Sequence, residues 1–431
     1  MESGRELLGR PLRRVVSVVT GSVRSRGGWL LLLGLVIPTA LSSLTVFVTA
    51  SLLGPDGRGQ IAFVLATASL VIAAGSFGFY LCAARSPEPV ARQYLDASFL
   101  TVGLIGVVLV LVGVVFAPGL LTPQRAAVAG LGALAGVGTL FAQRVAQAHV
   151  SDREYFLIGA LPALVTASVI LAVVLLGGRV QAYLIAWLFL AMVTLVYAQW
   201  RMRRSVRIRV AHPYDLPRYF REAAPVGFSG IASTLVLRSD IVILGLISVG
   251  AQVGYYSLAT AISGVPFLLA EVFALRAVSR HKGADPADYV RQVPMIARNA
   301  ALVTGLSIVP IFLLGYLVIR FLLPDFMPSV LPMAILCVAV IPSSHLRVVL
   351  AAASMQGFQR VLYGYSVAGV VLSVCYLPAA TKGALGVAMA SLVIYLVLQV
   401  AVLRWWRGQA RKITPGSAVP DVVEGSDVEG R

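Results

Sequence analysis

Residues 223–248 read AAPVGFSGIASTLVLRSDIVILGLIS, a run long enough to cross a bilayer yet carrying two charges in its second half, Arg238 and Asp240. At about 1.5 Å of helical rise per residue, roughly 20 apolar residues span a hydrocarbon core. A charge inside such a run is expensive and marks a functional or interior position. The two charged residues sit about 3 Å apart along the helix axis and point about 160° away from each other. They do not share a face. Each therefore needs its own partner, or water in a cavity.

The rest of the chain agrees with this membrane reading. The 431 residues are 58% hydrophobic and 12% charged, and their mean hydropathy is +0.88. Soluble domains carry about 25% charged residues, so a soluble globular protein and a disordered one are both excluded. Gly, Pro and charge mark twelve apolar segments: 29–52, 60–84, 97–117, 126–149, 156–176, 181–200, 223–248, 254–275, 294–319, 329–352, 360–379 and 383–403. The fold class is therefore an all-α polytopic membrane protein, with about 12 spans in two six-helix lobes. The expected units are a basic amphipathic segment 1–28, an N-terminal lobe 29–200, a basic linker 201–222, a C-terminal lobe 223–403 and a tail 404–431 that is acidic at its end.

The net charge of +17 is explained by topology. With a cytoplasmic N-terminus, only Arg58, Arg125, Arg179, Arg320 and Lys382 fall in outer loops and Arg238 falls in a span. The other 29 of the 35 basic residues are inside, as the positive-inside rule requires. No nucleic-acid partner is needed to account for them. The N-terminal segment, with Arg5, Arg10, Arg13, Arg14, Arg24 and Arg26 among apolar residues, suits the surface of anionic membrane lipids. Both termini are expected in the cytoplasm, in a cell (inner or plasma) membrane.

Catalytic chemistry finds little support. Outer loops are short, and the 201–222 segment is dominated by Arg, with Asp215 and Glu222 forming no recognisable acid–base pair. There is no phosphate-binding loop motif, and Cys82, Cys337 and Cys375 lie in apolar runs without metal-ligand spacing. The chain reads as a transporter, flippase, channel or scaffold, not as an enzyme, with no cofactor and no metal. Candidate residues are then the charges near or in spans. Arg238 suits an anionic head group in a cavity. Arg144 and Arg347, at inner span ends, either snorkel to lipid phosphates or form a basic vestibule. Asp240 and Glu271 are candidates for coupling or gating, or are structural partners of basic residues. Pro38, Pro266, Pro310 and Pro342 lie within spans and permit bending.

Two stretches carry a family resemblance. One is Leu53-Gly54-Pro55-Asp56-Gly57-Arg58-Gly59-Gln60-Ile61-Ala62 after the first span. The other is Arg238-Ser239-Asp240-Ile241-Val242-Ile243-Leu244-Gly245, followed by Val253-Gly254-Tyr255-Tyr256-Ser257-Leu258-Ala259. With twelve spans split six and six, over about residues 29–403, the chain resembles the polysaccharide or oligosaccharide flippase branch of the multidrug/oligosaccharidyl-lipid/polysaccharide (MOP) exporter superfamily. The resemblance implies two six-helix lobes, as in MATE transporters, facing each other across a central cavity. It implies alternating access that moves a polyprenyl-diphosphate-linked oligosaccharide, a precursor of cell-surface polysaccharide, from inner to outer leaflet. Polysaccharide assembly proteins and a coupling ion, proton or sodium, are the further partners compatible with it. The lipid II flippase branch usually has extra spans and several Arg residues in spans 1 and 2. The absence here of a thirteenth span and of charge inside span 1 argues against that branch. Two alternatives remain: a cation-coupled multidrug exporter of the same superfamily, and a non-transporting scaffold for envelope assembly.

Overall fold

The computed structural model describes residues 28–86, 90–115, 119–209, 216–281, 286–356 and 358–412. The basic segment 1–28, apart from Gly28, and the acidic end of the tail lie outside the described residues. The described chain is helical almost throughout. Helices α1 (Gly28–Ser76), α2 (Phe79–Arg85), α3 (Gln93–Val115), α4 (Pro123–His149), α5 (Asp152–Leu175) and α6 (Val180–Ser205) form the N-terminal lobe. Helices α7 (Leu216–Ile247), α8 (Gly250–His281), α9 (Pro286–Leu322), α10 (Val330–Met355), α11 (Gln359–Ser373), α12 (Tyr376–Ala380) and α13 (Gly383–Ala410) form the C-terminal one.

Ten of the described helices are long and apolar enough to cross a membrane. The first of them contains two spans merged at a kink. Helix α8 is not among the ten, because part of it lies outside the described residues. Counting both legs of α1, together with α8, recovers the twelve spans.

The kink follows from two adjacent residues. Gly54 adopts φ 66° and ψ −177°, a region essentially reserved for glycine. Pro55 then opens the second leg, where a missing N–H costs nothing and its fixed φ already suits a helix. The outer turn expected over 53–59 thus shrinks to a single residue. Arg58 is consequently not in a loop: it lies in the first turn of the second leg and is 5% exposed.

The lipid face is legible in the surface pattern. On α3, Leu104, Val107, Val108, Leu111, Val114 and Val115 are exposed at helical spacing. The opposite face of that helix buries Gln93, Tyr94, Ala97, Ser98 and Val102. The same stripe recurs on α9 through Leu302, Leu306, Val309, Leu313, Leu317 and Phe321. Apolar residues outside and small or polar ones inside is the pattern expected when the surrounding solvent is lipid.

The long-range hydrogen bonds at helix ends fall into two sets. In one set, β1 (Val90–Ala91) pairs in parallel with β2 (Ile208–Arg209), Arg201 Nε donates to Glu154 Oε2 at 2.6 Å, and Tyr94 OH donates to Glu222 Oε2 at 2.8 Å. All of these segments were assigned to the inner side. In the other set, Leu120 N donates to Gly245 O at 3.0 Å, Arg125 Nη2 to Gln60 Oε1 at 2.7 Å, and Ala384 N to Gln252 Oε1 at 3.0 Å. These were assigned to the outer side.

Parts of the 201–222 segment are helix or strand. Its start ends α6, its middle supplies β2, and residues 216–222 open α7. Those first turns of α7 pack on the N-terminal lobe. Tyr219 meets Tyr94 edge-on at 4.6 Å between ring centroids, and Phe220 meets Phe79 at 4.9 Å. One helix therefore begins on one lobe and ends in the other.

Candidate functional site

The kink that buries Arg58 also brings the two lobes together, at the end of the bundle that the charge pattern assigns to the outside. A Cβ on Gly59 would collide with the carbonyl oxygen of Gly250, and one on Gly254 with the carbonyl oxygen of Pro55. A Cβ on Gly119 would likewise strike Gly245 O. Glycines here let backbones from opposite lobes touch, which is how small residues serve helix contacts in membranes. Beside this seam, Asp56 accepts from Gln60 Nε2 at 2.6 Å, and Gln60 accepts from Arg125.

Below the seam lies a cavity of about 880 Å³. Both legs of α1 line it, with α4, α5 and α6, and α7 and α8 close its C-terminal side. Arg58 and Arg238 both line it, one from each lobe, close enough to feel each other's charge. Arg58 Nε has no hydrogen-bond partner, and neither arginine forms an ion pair with a carboxylate among the described residues. Tyr183 stands next to Arg58 and lines the same space. Asp240 lies within electrostatic reach of Arg238 without forming an ion pair with it, and two cations facing one cavity in a membrane interior are costly unless water or an anion solvates them. No Asp or Glu is among the described residues lining the cavity.

Asp240 goes the other way. It is 3% exposed and does not line the cavity. Its Oδ2 accepts from Tyr256 OH at 2.7 Å, and Oδ1 accepts from Ile241 N at 2.7 Å. The Tyr256 oxygen lies 3.0 Å from Ser391 Oγ, which lies 3.1 Å from Tyr376 OH. This buried chain ties α7 to α8, α12 and α13. The two neighbours in sequence thus serve opposite sides of one helix, as 100° per residue demands.

The remaining candidates do not converge on the cavity. The Arg144 guanidinium lies over the Tyr155 ring, 5.4 Å from its centroid, and Tyr155 in turn lines the cavity. Arg347 borders a separate void of about 20 Å³ in the C-terminal lobe, with Tyr365 and Tyr395. Tyr80 on α2 lies within electrostatic reach of both Arg144 and Arg347. Glu271 belongs to α8, but its side chain lies outside the described residues. Among the described residues no cluster of His, Cys, Asp and Glu could hold a metal ion.

The sequence reading missed Arg58, which it placed in an outer loop. The signal was the Gly54-Pro55 pair. A helix ending in glycine and restarting at proline makes Arg58 a first-turn residue of a span and not part of a turn.

Two helical lobes, apolar outside, border at their junction a cavity that carries two arginines, in a polytopic membrane fold. A sequence family described as polysaccharide biosynthesis protein matches residues 25–279, and the chain belongs to that family. Solved structures of similar fold include the lipid II flippase MurJ in an inward closed conformation. It shares 11% identity over 87% of each chain, with a TM-score of 0.67. An inward-facing multidrug resistance MATE family transporter of the MOP superfamily matches at 14% identity, over 90% of this chain and 100% of that one, with a TM-score of 0.55. A mutant of a Vibrio cholerae MATE transporter matches at 14% identity, over 89% and 95% of the two chains, with a TM-score of 0.56. At such identities the likeness is one of fold. No curated protein matches the chain.

Proposed function

We propose that the protein is a flippase of the cell membrane, with both termini cytoplasmic. It moves a polyprenyl-diphosphate-linked oligosaccharide, a precursor of cell-surface polysaccharide, from the inner to the outer leaflet. The observation that carries this reading is the pair Arg58 and Arg238, without carboxylate partners, in one cavity between the lobes. A diphosphate supplies what those groups lack, because bidentate charge-assisted hydrogen bonds offset the desolvation of a guanidinium. The polyprenyl tail stays in lipid while the polar head occupies the cavity. Alternating access follows from loosening the glycine contacts at the outer seam while α7, docked on both lobes, keeps them together.

Membership of a polysaccharide biosynthesis family supports the substrate class. A cation-coupled multidrug exporter would present carboxylates to the cavity. Here Asp240 is turned away, into the C-terminal lobe. Arg144 and Arg347 form the inner approach in this reading, where anionic lipid head groups first meet the protein. Asp240 acts by fastening helices. A proton or sodium ion as the coupling partner, and polysaccharide assembly proteins as neighbours, remain compatible with it.

The test is the leaflet distribution of lipid-linked oligosaccharide in vesicles from a deletion strain with no redundant flippase, with and without the wild-type protein restored. Accumulation on the inner leaflet that restoration relieves is expected. An unchanged distribution in the deletion strain rejects the reading, and drug efflux or scaffolding takes its place.

A further inference from the structure

We infer that the glycan is read by the cavity wall of the N-terminal lobe, with Trp187 as its stacking surface and Gln143 and a set of free hydroxyls as its hydrogen-bonding surface. We infer also that this glycan is a short oligosaccharide without cationic groups. The inference rests on the flippase reading and names the part of the cavity that recognises the sugar.

The cavity is unevenly built. Most of its wall comes from α1, α4, α5 and α6, and α7 and α8 supply one side. None of the described lining residues comes from α9–α13. Several hydroxyls on the N-terminal side are also in an unusual state, although Thr45 and Ser69 of the same wall bond back to their own helix. Serine and threonine in a helix commonly bond back to the carbonyl four residues earlier, which removes their donor from further use. Thr49, Ser98 and Thr101 do so in this protein. Ser42, Ser43, Thr139, Thr166 and Thr194 line the cavity and make no intramolecular hydrogen bond among the described residues. Each keeps one donor and two acceptor positions for whatever fills the space. A sugar ring, with alternating donors and acceptors around its edge, has the matching chemistry.

Trp187 supplies the other half of a sugar site. Its ring passes over Gly132, where any side chain would collide with it, so α4 is cut away to hold the indole in place at the cavity wall. A rigid aromatic face of this kind packs against the apolar face of a pyranose ring while the hydroxyls on the ring edge bond to polar neighbours. Gln143, on the same helix as Gly132, adds an amide that both donates and accepts; its Nε2 makes a long hydrogen bond, 3.5 Å, to Tyr155 O.

Charge and volume limit the ligand. With Arg58 and Arg238 in the lining and no carboxylate among its described residues, a cationic amino sugar is repelled, whereas neutral and acidic sugars are accepted. A volume of about 880 Å³ lies near the upper end of the roughly 300–1,000 Å³ of pockets that enclose one ligand. That accommodates a diphosphate with a few sugar rings, one repeat unit and not a polymer.

The test uses full-length protein in lipid nanodiscs and two probes. One is undecaprenyl diphosphate without sugar. The other is the lipid-linked oligosaccharide extracted from a strain that lacks the protein. Trp187→Ala and Gln143→Ala should each weaken binding of the sugar-bearing probe by about tenfold and leave the sugarless probe unchanged. Trp187→Phe, which keeps a ring with less change to packing, should recover most of the loss. Arg58→Ala and Arg238→Ala should weaken both probes alike. If Trp187→Ala and Gln143→Ala weaken both probes equally, or neither, the sugar assignment is overturned while the head-group reading stands. If the wild-type protein binds neither probe, or both probes ignore the two arginine variants, the flippase reading itself fails.

Discussion

The interiors of the two lobes have been solved in opposite ways. The N-terminal lobe borders about 880 Å³ of space, walled by unpartnered hydroxyls and bearing Arg58. The C-terminal lobe holds a void of about 20 Å³, enough for a single water, and its buried carboxylate Asp240 is closed into a chain of hydroxyls. Arg238 and Asp240, separated by Ser239 alone, divide these duties along α7. Polarity in a membrane interior has two uses here. Left unsatisfied around a cavity, it prepares a place for a polar ligand. Satisfied inside a packed lobe, it fixes how helices sit against one another.

That contrast breaks most visibly at Asp240. Asp240→Ala removes the acceptor of Tyr256 in a fully buried network, and we expect it to lower stability by about 3 kcal/mol. Thermal unfolding in detergent would show it, and an unchanged midpoint would mean that the network fastens nothing. Gly54→Ala comes next. A Cβ there meets open space, but the backbone conformation is one that only glycine holds easily, so a cost of about 2 kcal/mol is expected from strain alone. Tyr256→Phe should cost about 1 kcal/mol, since Asp240 keeps its bond to Ile241 N.

Gly59→Ala tests the seam above the cavity, and stability is not its readout. A methyl group at this site pushes against the Gly250 carbonyl and should hold the outer side apart. Spin labels at the exposed positions Ser51 and Val249 should show a larger share of long distances than in the parent protein. Identical distance distributions would mean that the seam does not control closure.

Much of this architecture is legible in the sequence because membrane physics leaves strong marks. Span length and the opposite faces of Arg238 and Asp240 follow from the thickness of a bilayer and the pitch of a helix. The partners of those residues are not legible in the same way. Tyr376 and Ser391 lie far from Asp240 in the chain, and nothing in their local sequence distinguishes them from other residues of apolar helices; Tyr256 lies in a stretch that carries the family resemblance, which does not say what its hydroxyl bonds. Arg58 was hidden by its neighbours, since Gly-Pro-Asp-Gly is the chemistry of a turn and here turns the chain at one residue only. The cavity wall was hidden for a different reason. A serine or threonine in a span has the same letter whether its hydroxyl bonds back to the helix or faces a ligand, and only packing separates Ser98 from Thr139.

The most direct measurement compares two double variants in one leaflet-distribution assay, at equal membrane abundance and with unfolding midpoints recorded alongside. Arg58→Gln with Arg238→Gln should abolish transfer of lipid-linked oligosaccharide to the outer leaflet while the midpoint holds or rises. Asp240→Asn with Tyr256→Phe should lower the midpoint and leave transfer by the folded protein close to wild type. The opposite pattern, with transfer surviving the loss of both arginines and lost with the buried network intact in stability, would contradict the division of labour between the two lobes.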